Sequence, residues 1–197
     1  QNPSYSYSDD GTYTVSLTVT DDDEAQNTTS QIITVTPPVE QEDVNQSIMS
    51  RGYAIRHVSD GDWGAAQDFI PTQDTITKVS LYLRKFGRNS FNLTVKLRKD
   101  NVQGDLLDSK VITPNEISSS WQWLPVDFVN ITVEPDTRYF IVVPPEPDYI
   151  KDSFGYEWGY AFGDQYDGGS FWFTRDGGTL WRDLPTRYEF TFKTYGI

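Results

Sequence analysis

Apolar and polar residues alternate with a period of two along most of the chain, and no stretch carries the three-to-four spacing of an amphipathic helix. Tyr13, Val15, Leu17 and Val19 alternate with Thr14, Ser16, Thr18 and Thr20. The acidic run Asp21-Asp22-Asp23-Glu24 turns the chain, and Ile32-Ile33-Thr34-Val35-Thr36 returns it. Pro37-Pro38 then ends the pairing, because proline has no N–H to give to a ladder. Residues 37–47 read as a stiff acidic linker between a first domain at 1–36 and a second at 48–197. In the second, Val79, Leu81 and Leu83 alternate with Ser80, Tyr82 and Arg84, and Phe91, Leu93, Val95 and Leu97 with Asn92, Thr94, Lys96 and Arg98. Pro125 interrupts the stretch 121–128, which predicts an edge strand or a bulge. Residues 138–143 are apolar on both faces and predict a central strand. Tyr188, Phe190 and Phe192 alternate with Arg187, Glu189, Thr191 and Lys193 to close the chain. About eight short strands divided by Gly, Pro, Asn and Asp turns predict an all-β antiparallel sandwich, most simply a jelly roll.

The region 156–181 concentrates rings: Tyr156, Trp158, Tyr160, Phe162, Tyr166, Phe171, Trp172, Phe173 and Trp181. In Tyr156-Glu157-Trp158-Gly159-Tyr160-Ala161-Phe162 they fall on every second residue, so one face of a strand becomes a row of four rings and the other is nearly bare. Such a row is either the floor of a sandwich core or a platform for flat ligands such as sugars. The phenylalanines Phe162, Phe171, Phe173, Phe190 and Phe192 read as core, and Trp158 and Tyr160 share the face of Phe162. Alternation sets Trp172 opposite Phe171 and Phe173 and therefore outward, while Tyr166, in a Gly/Asp loop, and Tyr82, opposite Leu81 and Leu83, read as exposed. The candidate carbohydrate surface is thus Trp172 and Tyr166 for stacking, with Asp164, Asp167 and Arg175 bonding hydroxyls; Trp158 and Tyr160 join it if their row faces outward.

A net charge of −13 over 197 residues, with no basic stripe, excludes a nucleic-acid partner. No run approaches the roughly 20 apolar residues that a membrane-spanning helix needs, and none of the 197 residues is cysteine. Four Asn-x-Ser/Thr sequons, at Asn27, Asn45, Asn92 and Asn130, favour a secreted or cell-surface glycoprotein, and a chain starting at Gln1 reads as a mature or excised fragment. Catalytic means are thin. His57 is the single histidine, and Glu157 with Asp164 or Asp167 is the kind of acid pair that arises freely in an acidic chain, so no enzyme is expected. No cofactor is required. The carboxylate-rich turns Asp21-Asp22-Asp23-Glu24, Asp60-Gly61-Asp62 and Asp164-Gln165-Tyr166-Asp167-Gly168 suit ordinary turn chemistry, and equally the oxygen ligands of a structural calcium.

Residues 5–21, Tyr5-Ser6-Tyr7-Ser8-Asp9-Asp10-Gly11-Thr12-Tyr13 onward to Asp21, strongly resemble the C-terminal half of a PKD (polycystic kidney disease) domain, the likeness extending over residues 1–36. That resemblance implies a partial immunoglobulin-like segment, with Asp10-x-x-Tyr13 as its tyrosine corner, in an extracellular spacer or adhesion protein. The family's earlier Trp-x-Phe-Gly-Asp-Gly region is missing, which leaves open strand edges and an expectation of self-association. Residues 45–197 resemble a choice-of-anchor-type jelly-roll module of prokaryotic surface proteins, through Gln67-Asp68-Phe69, Val133-Glu134-Pro135-Asp136-Thr137-Arg138-Tyr139 and Tyr166-Asp167-Gly168-Gly169-Ser170. The likeness implies a non-catalytic sandwich akin to carbohydrate-binding modules and carries no ligand residues. Thr174-Arg175-Asp176-Gly177-Gly178-Thr179-Leu180-Trp181 resembles the Asp-box, which implies a hairpin turn with Trp181 packed beneath. The expectation is a recognition or adhesion module that binds glycans or cell-surface components. The alternative is a purely structural spacer or assembly module of an envelope, S-layer or filament.

Overall fold

Strands form where β-branched and aromatic residues alternate with polar ones, throughout the residues that the computed structural model describes: 4–58, 61–88, 91–145, 154–184 and 187–197, with backbone alone at 57 and 58. The chain divides into two compact units, Gln1–Val39 and Glu40–Ile197.

The first unit is a two-stranded antiparallel hairpin. β1 (Gly11–Thr20) pairs with β2 (Gln26–Val35) in unbroken register from Gly11↔Val35 to Thr20↔Gln26. Asp21 makes the turn, its Oδ1 accepting from the backbone N–H of Asp23 (3.1 Å) and Ala25 (2.8 Å). Hydroxyl pairs cross the ladder at Ser16–Ser30 and Thr18–Thr28, each 2.8 Å. The Tyr13 hydroxyl donates to the Asp9 carbonyl at 2.8 Å, the bond a tyrosine corner makes. The apolar row at Val15, Leu17 and Val19 stays exposed.

The second unit is a two-layer antiparallel sandwich. One layer holds β3 (Gln41–Gln46), β4 (Arg51–Val58), β6 (Thr75–Phe86), β9 (Gln122–Thr132), β11 (Gly155–Phe162), β14 (Tyr188–Phe190) and β15 (Phe192–Gly196). The other holds β5 (Gly61–Phe69), β7 (Leu93–Lys99), β8 (Leu106–Ile112), β10 (Tyr139–Val143), β12 (Phe171–Thr174) and β13 (Arg182–Asp183). β4 pairs with β5 from Arg56↔Trp63 to Val58↔Gly61, which joins the layers at a corner. This is the all-β antiparallel sandwich that the alternation predicts. Ile55, Val79, Leu81, Leu83, Leu93, Val95, Leu97, Ile141 and Val143 are fully buried between the layers. Each such side chain contributes about 1.5–3 kcal/mol relative to leaving it in water. β10 is buried at every position because it pairs with both β5 and β7. β9 is the edge strand that Pro125 predicts: it pairs with β6 alone, and Pro125 stands opposite Ser80.

Three expectations need correction. The stretch read as linker contains β3, an edge strand whose Val44 and Gln46 are buried against the closing strand β15. Glu189, set by alternation on the face opposite Phe190, is fully buried, its Oε2 accepting from Nε2 of Gln67 on β5 at 2.6 Å. Phe162, expected in the core, is 46% exposed, and Phe173 is half-buried, because the inner face at that end opens to solvent.

Candidate functional site: an aromatic cleft at the open end of the sandwich

The row of rings on β11 is a gradient. Tyr156 and Trp158 are fully buried, Tyr160 is half-buried, and Phe162 at the strand's end is exposed. Trp158 anchors the row: its Nε1–H donates to the Thr191 carbonyl at 2.9 Å, and its ring stacks on Phe190 at 4.2 Å. The other face of Phe190 takes Phe171 at 4.2 Å and 10°, so a three-ring column ties β11 and β14 to β12 across the sandwich. At the open end the packing stops short. Tyr53, Tyr160, Phe171, Phe173, Leu184 and Tyr188, with Arg175, line a cleft of about 240 Å³.

Its polar groups lie at the margins. The Arg175 guanidinium lies over the Trp63 ring at 4.3 Å and beside Phe173 at 5.6 Å, held there by the turn from which it projects. The Tyr53 hydroxyl donates to the Thr174 carbonyl at 3.3 Å, and burial pushes this phenol up to about 12, against the pull of Arg175. Burial also raises the Tyr160 phenol, with Arg51 opposing. Both phenols are therefore neutral donors at physiological pH. Arg51 covers Phe162 at the rim, 5.3 Å from the ring centre. Such a cleft, apolar in its walls and polar at its lip, suits a flat ligand with hydroxyls at its edge.

The turn behind Arg175 forms as the Asp-box likeness implies. Thr174 Oγ1 bonds Asp176 Oδ1 at 2.8 Å, and that same oxygen accepts from the Leu180 N–H at 2.9 Å. The Leu180 bond, seconded by Thr174, holds the Asp176 carboxyl below the usual range. Gly177 and Gly178 adopt φ of 75° and 84°, and β12 and β13 pair at Trp172↔Asp183 and Phe173↔Arg182.

The residues nominated from the sequence separate into several places. Tyr160 and Arg175 meet in the cleft. Trp158 lies wholly inside the core. Trp172 points away from Phe171 as alternation requires, but it is half-buried on the outer face of the second layer. There it packs edge-on to Phe140 at 5.9 Å, and its Nε1–H donates to Asp68 Oδ1 at 3.1 Å. Burial raises the Asp68 carboxyl, opposed by Arg138, the Ser170 N–H and Trp172. Tyr166 is half-buried rather than exposed, and its hydroxyl donates to the Ile70 carbonyl (3.4 Å) and accepts from the Ile70 N–H (2.9 Å). Asp164 and Asp167 are exposed. Sequence reasoning missed Tyr53 and Tyr188, which reach the cleft by pairing with Trp158 and Phe162 of β11, and Leu184, which follows β13 with its N–H donating to the Phe171 carbonyl.

Asn27, Asn45, Asn92 and Asn130 are all exposed, and Asn45 donates to Glu42 at 2.6 Å. The side chain of His57 lies outside the described residues, as does Asp60 of the Asp60-Gly61-Asp62 turn. Glu157 is committed to an ion pair with Arg84 on the outer face of β6 and β11. Among the described residues, no three His, Cys, Asp or Glu side chains are grouped to hold a metal ion. Among them, too, no helix is long and apolar enough to cross a membrane.

Residues 1–36 match the family model of the PKD domain. The Tyr13 corner and the strict β1–β2 register are the structural counterpart of that match. PKD domains are non-catalytic, immunoglobulin-like modules that typically occur in extracellular proteins and often take part in protein interactions. The PKD-type segment therefore points to an extracellular adhesion or structural setting. No curated protein matches the chain.

Proposed function

We propose that Glu40–Ile197 is a non-catalytic carbohydrate-recognition module, carried beside the PKD-type segment in an extracellular protein, and that a sugar ring enters the cleft on β11. The observation that carries this reading is the gradient along one strand, from Trp158 in the core to Phe162 in solvent, with an open aromatic cleft between. A pyranose has one apolar face of C–H groups and a rim of hydroxyls. Burying that face against Tyr160, Phe173 and Tyr188 removes apolar surface from water, and the rim then meets Arg175 and the Tyr160 hydroxyl. Water is excluded only on one side, which suits reversible binding rather than chemistry.

A structural reading has its own support in the hairpin of the first unit, whose Leu17 and Val19 are 59% and 60% exposed and whose strands have unpaired edges. A glycan array probed with the wild type, Tyr160→Ala, Arg175→Ala and Trp172→Ala separates the two. Carbohydrate recognition through the cleft gives a specific signal that Tyr160→Ala and Arg175→Ala lose and Trp172→Ala keeps. A wild type silent on every glycan leaves the spacer or assembly role, and a signal lost only in Trp172→Ala moves the site to the other layer.

A further inference from the structure

On the outward side of β11, away from the cleft, lies a second ring surface, built from residues that the site above does not use. The outward position Gly159 and its cross-strand partner Gly52 of β4 form a floor without side chains, flanked by Glu157, whose side chain lies against Gly52. Rings from elsewhere lie over it. Tyr82 of β6 and Trp123 of β9 are direct cross-strand partners, their ring centres 5.2 Å apart. Trp121, just before β9, stacks on Tyr82 at 5.5 Å with the planes 14° apart. A methyl group added at Gly52 would stand 2.9 Å from Trp121 Cη2, and one at Gly159 would stand 3.0 Å from Met49 Cγ and 3.3 Å from Tyr82 Cδ1. The two glycines therefore create the space in which these rings sit against the sheet.

All three rings are half-buried, so each is held by the sheet and keeps surface in solvent. Tyr82, Trp123, Met49, Ser47 and Lys193 line an open groove of about 440 Å³. Its charges are already matched within the protein. Arg84, over the Trp121 ring at 4.8 Å, pairs with Glu157; Lys193, 5.3 Å from the Trp123 ring, pairs with Glu42 at 2.6 Å. A surface of locked aromatic rings with internally neutralised charges repels neither sign and attracts neither, which sets it apart from a chain that otherwise carries −13. Its partner is thus neutral, flat on one face and bearing hydroxyls that can share the Arg84–Glu157 and Lys193–Glu42 pairs.

We propose that Tyr82, Trp121 and Trp123 form a second binding site for the pyranose rings of a neutral polysaccharide, on the opposite side of β11 from the cleft. The proposal extends the carbohydrate reading of this module, but it rests on different residues and can stand without the cleft. Two sites on one module would raise avidity for a polymer without further contacts.

The test uses the full chain and immobilised cellulose, xylan, mannan and chitin, with pectate as the anionic control. The variants are Trp121→Ala, Trp123→Ala, Trp123→Phe and Tyr160→Ala, each checked by thermal melting. The expected result is retention of the wild type on at least one neutral polymer. Trp123→Ala and Trp121→Ala then weaken it by roughly tenfold, the upper range of one aromatic contact, and Trp123→Phe restores most of the loss. Tyr160→Ala retaining platform-dependent binding supports the platform even if the cleft reading fails. Retention of Trp121→Ala and Trp123→Ala at wild-type strength overturns the platform, including where Tyr160→Ala abolishes binding and the cleft reading survives. Retention on pectate alone, or on no polymer, also overturns it.

Discussion

Along β11 the inward positions Tyr156, Trp158, Tyr160 and Phe162 bring their own rings, whereas outward Gly159, opposite Gly52, leaves a gap that Tyr82 of β6, and Trp121 and Met49 from the segments before β9 and β4, come to fill. Inward, the rings hold the two layers together, and the packing runs out only at the end of the gradient, where the proposed cleft site lies. Outward, the rings lie on one layer alone and keep part of their surface in solvent. A dense aromatic run in a sequence thus marks the core first, and solvent-facing ring surface arises at its end and behind its gaps.

The sharpest way to break this contrast is at Trp158. Truncation to alanine removes a fully buried indole, its bond to Thr191 and its stack on Phe190, and costs about 3–5 kcal/mol in chemical denaturation. A cost under about 1 kcal/mol would mean that the inner row is not the core.

Next comes a proton stored on the inner face. Glu189 is fully buried, Gln67 Nε2 donates to its Oε2 at 2.6 Å, and its Oε1 meets no hydrogen-bond partner among the described residues. Burial raises this carboxyl from 4.5 to about 8, with the Gln67 bond opposing. The folded protein therefore holds a proton that the unfolded chain releases, and stability falls as pH rises from about 4.5 to about 8, then levels off. The loss across that window is on the order of a few kcal/mol. Glu189→Gln keeps the Gln67 contact without a titrating group, so its melting temperature should be flatter over this range. Parallel profiles for the two proteins would remove Glu189 from the account.

Smaller effects test the outward face. Gly52→Ala drives a methyl into Trp121 and should cost about 1–3 kcal/mol by overpacking. It should also shift the tryptophan emission of the platform while leaving cleft ligands unaffected. Smallest is Phe162→Ala at the exposed end of the row, expected within about 0.5 kcal/mol of the wild type. A large loss there would deny that the inner face opens.

Much of the fold is legible in the chain because period-two alternation reports directly on which side chains share a face. Leu93, Val95 and Leu97, β10 and the Pro125 edge follow from it. The Tyr13 corner and the Asp176 turn follow from local motifs whose bonds close within a few residues. Three features do not follow. β3 is masked by its acidic composition and is a strand only because β15 pairs with it. Glu189 is buried against Gln67, 122 positions away in the chain, which no local pattern announces. The cleft and the platform are both assembled from strands far apart in sequence, so Tyr53 and Tyr188 reach Tyr160, and Trp121 reaches Gly52, only through the sheet. Trp172 illustrates the limit: alternation gives its side of the strand correctly, but nothing in the sequence tells that Phe140 and Asp68 would cover it.

The central proposal is that a sugar binds at the end of the β11 row. The measurement is calorimetric titration of the wild type and Tyr160→Ala with the oligosaccharide giving the strongest array signal. The expected result is that Tyr160→Ala loses roughly tenfold or more in affinity, about 1.4 kcal/mol, while its melting temperature stays close to that of the wild type. Equal affinities for the two proteins would contradict it.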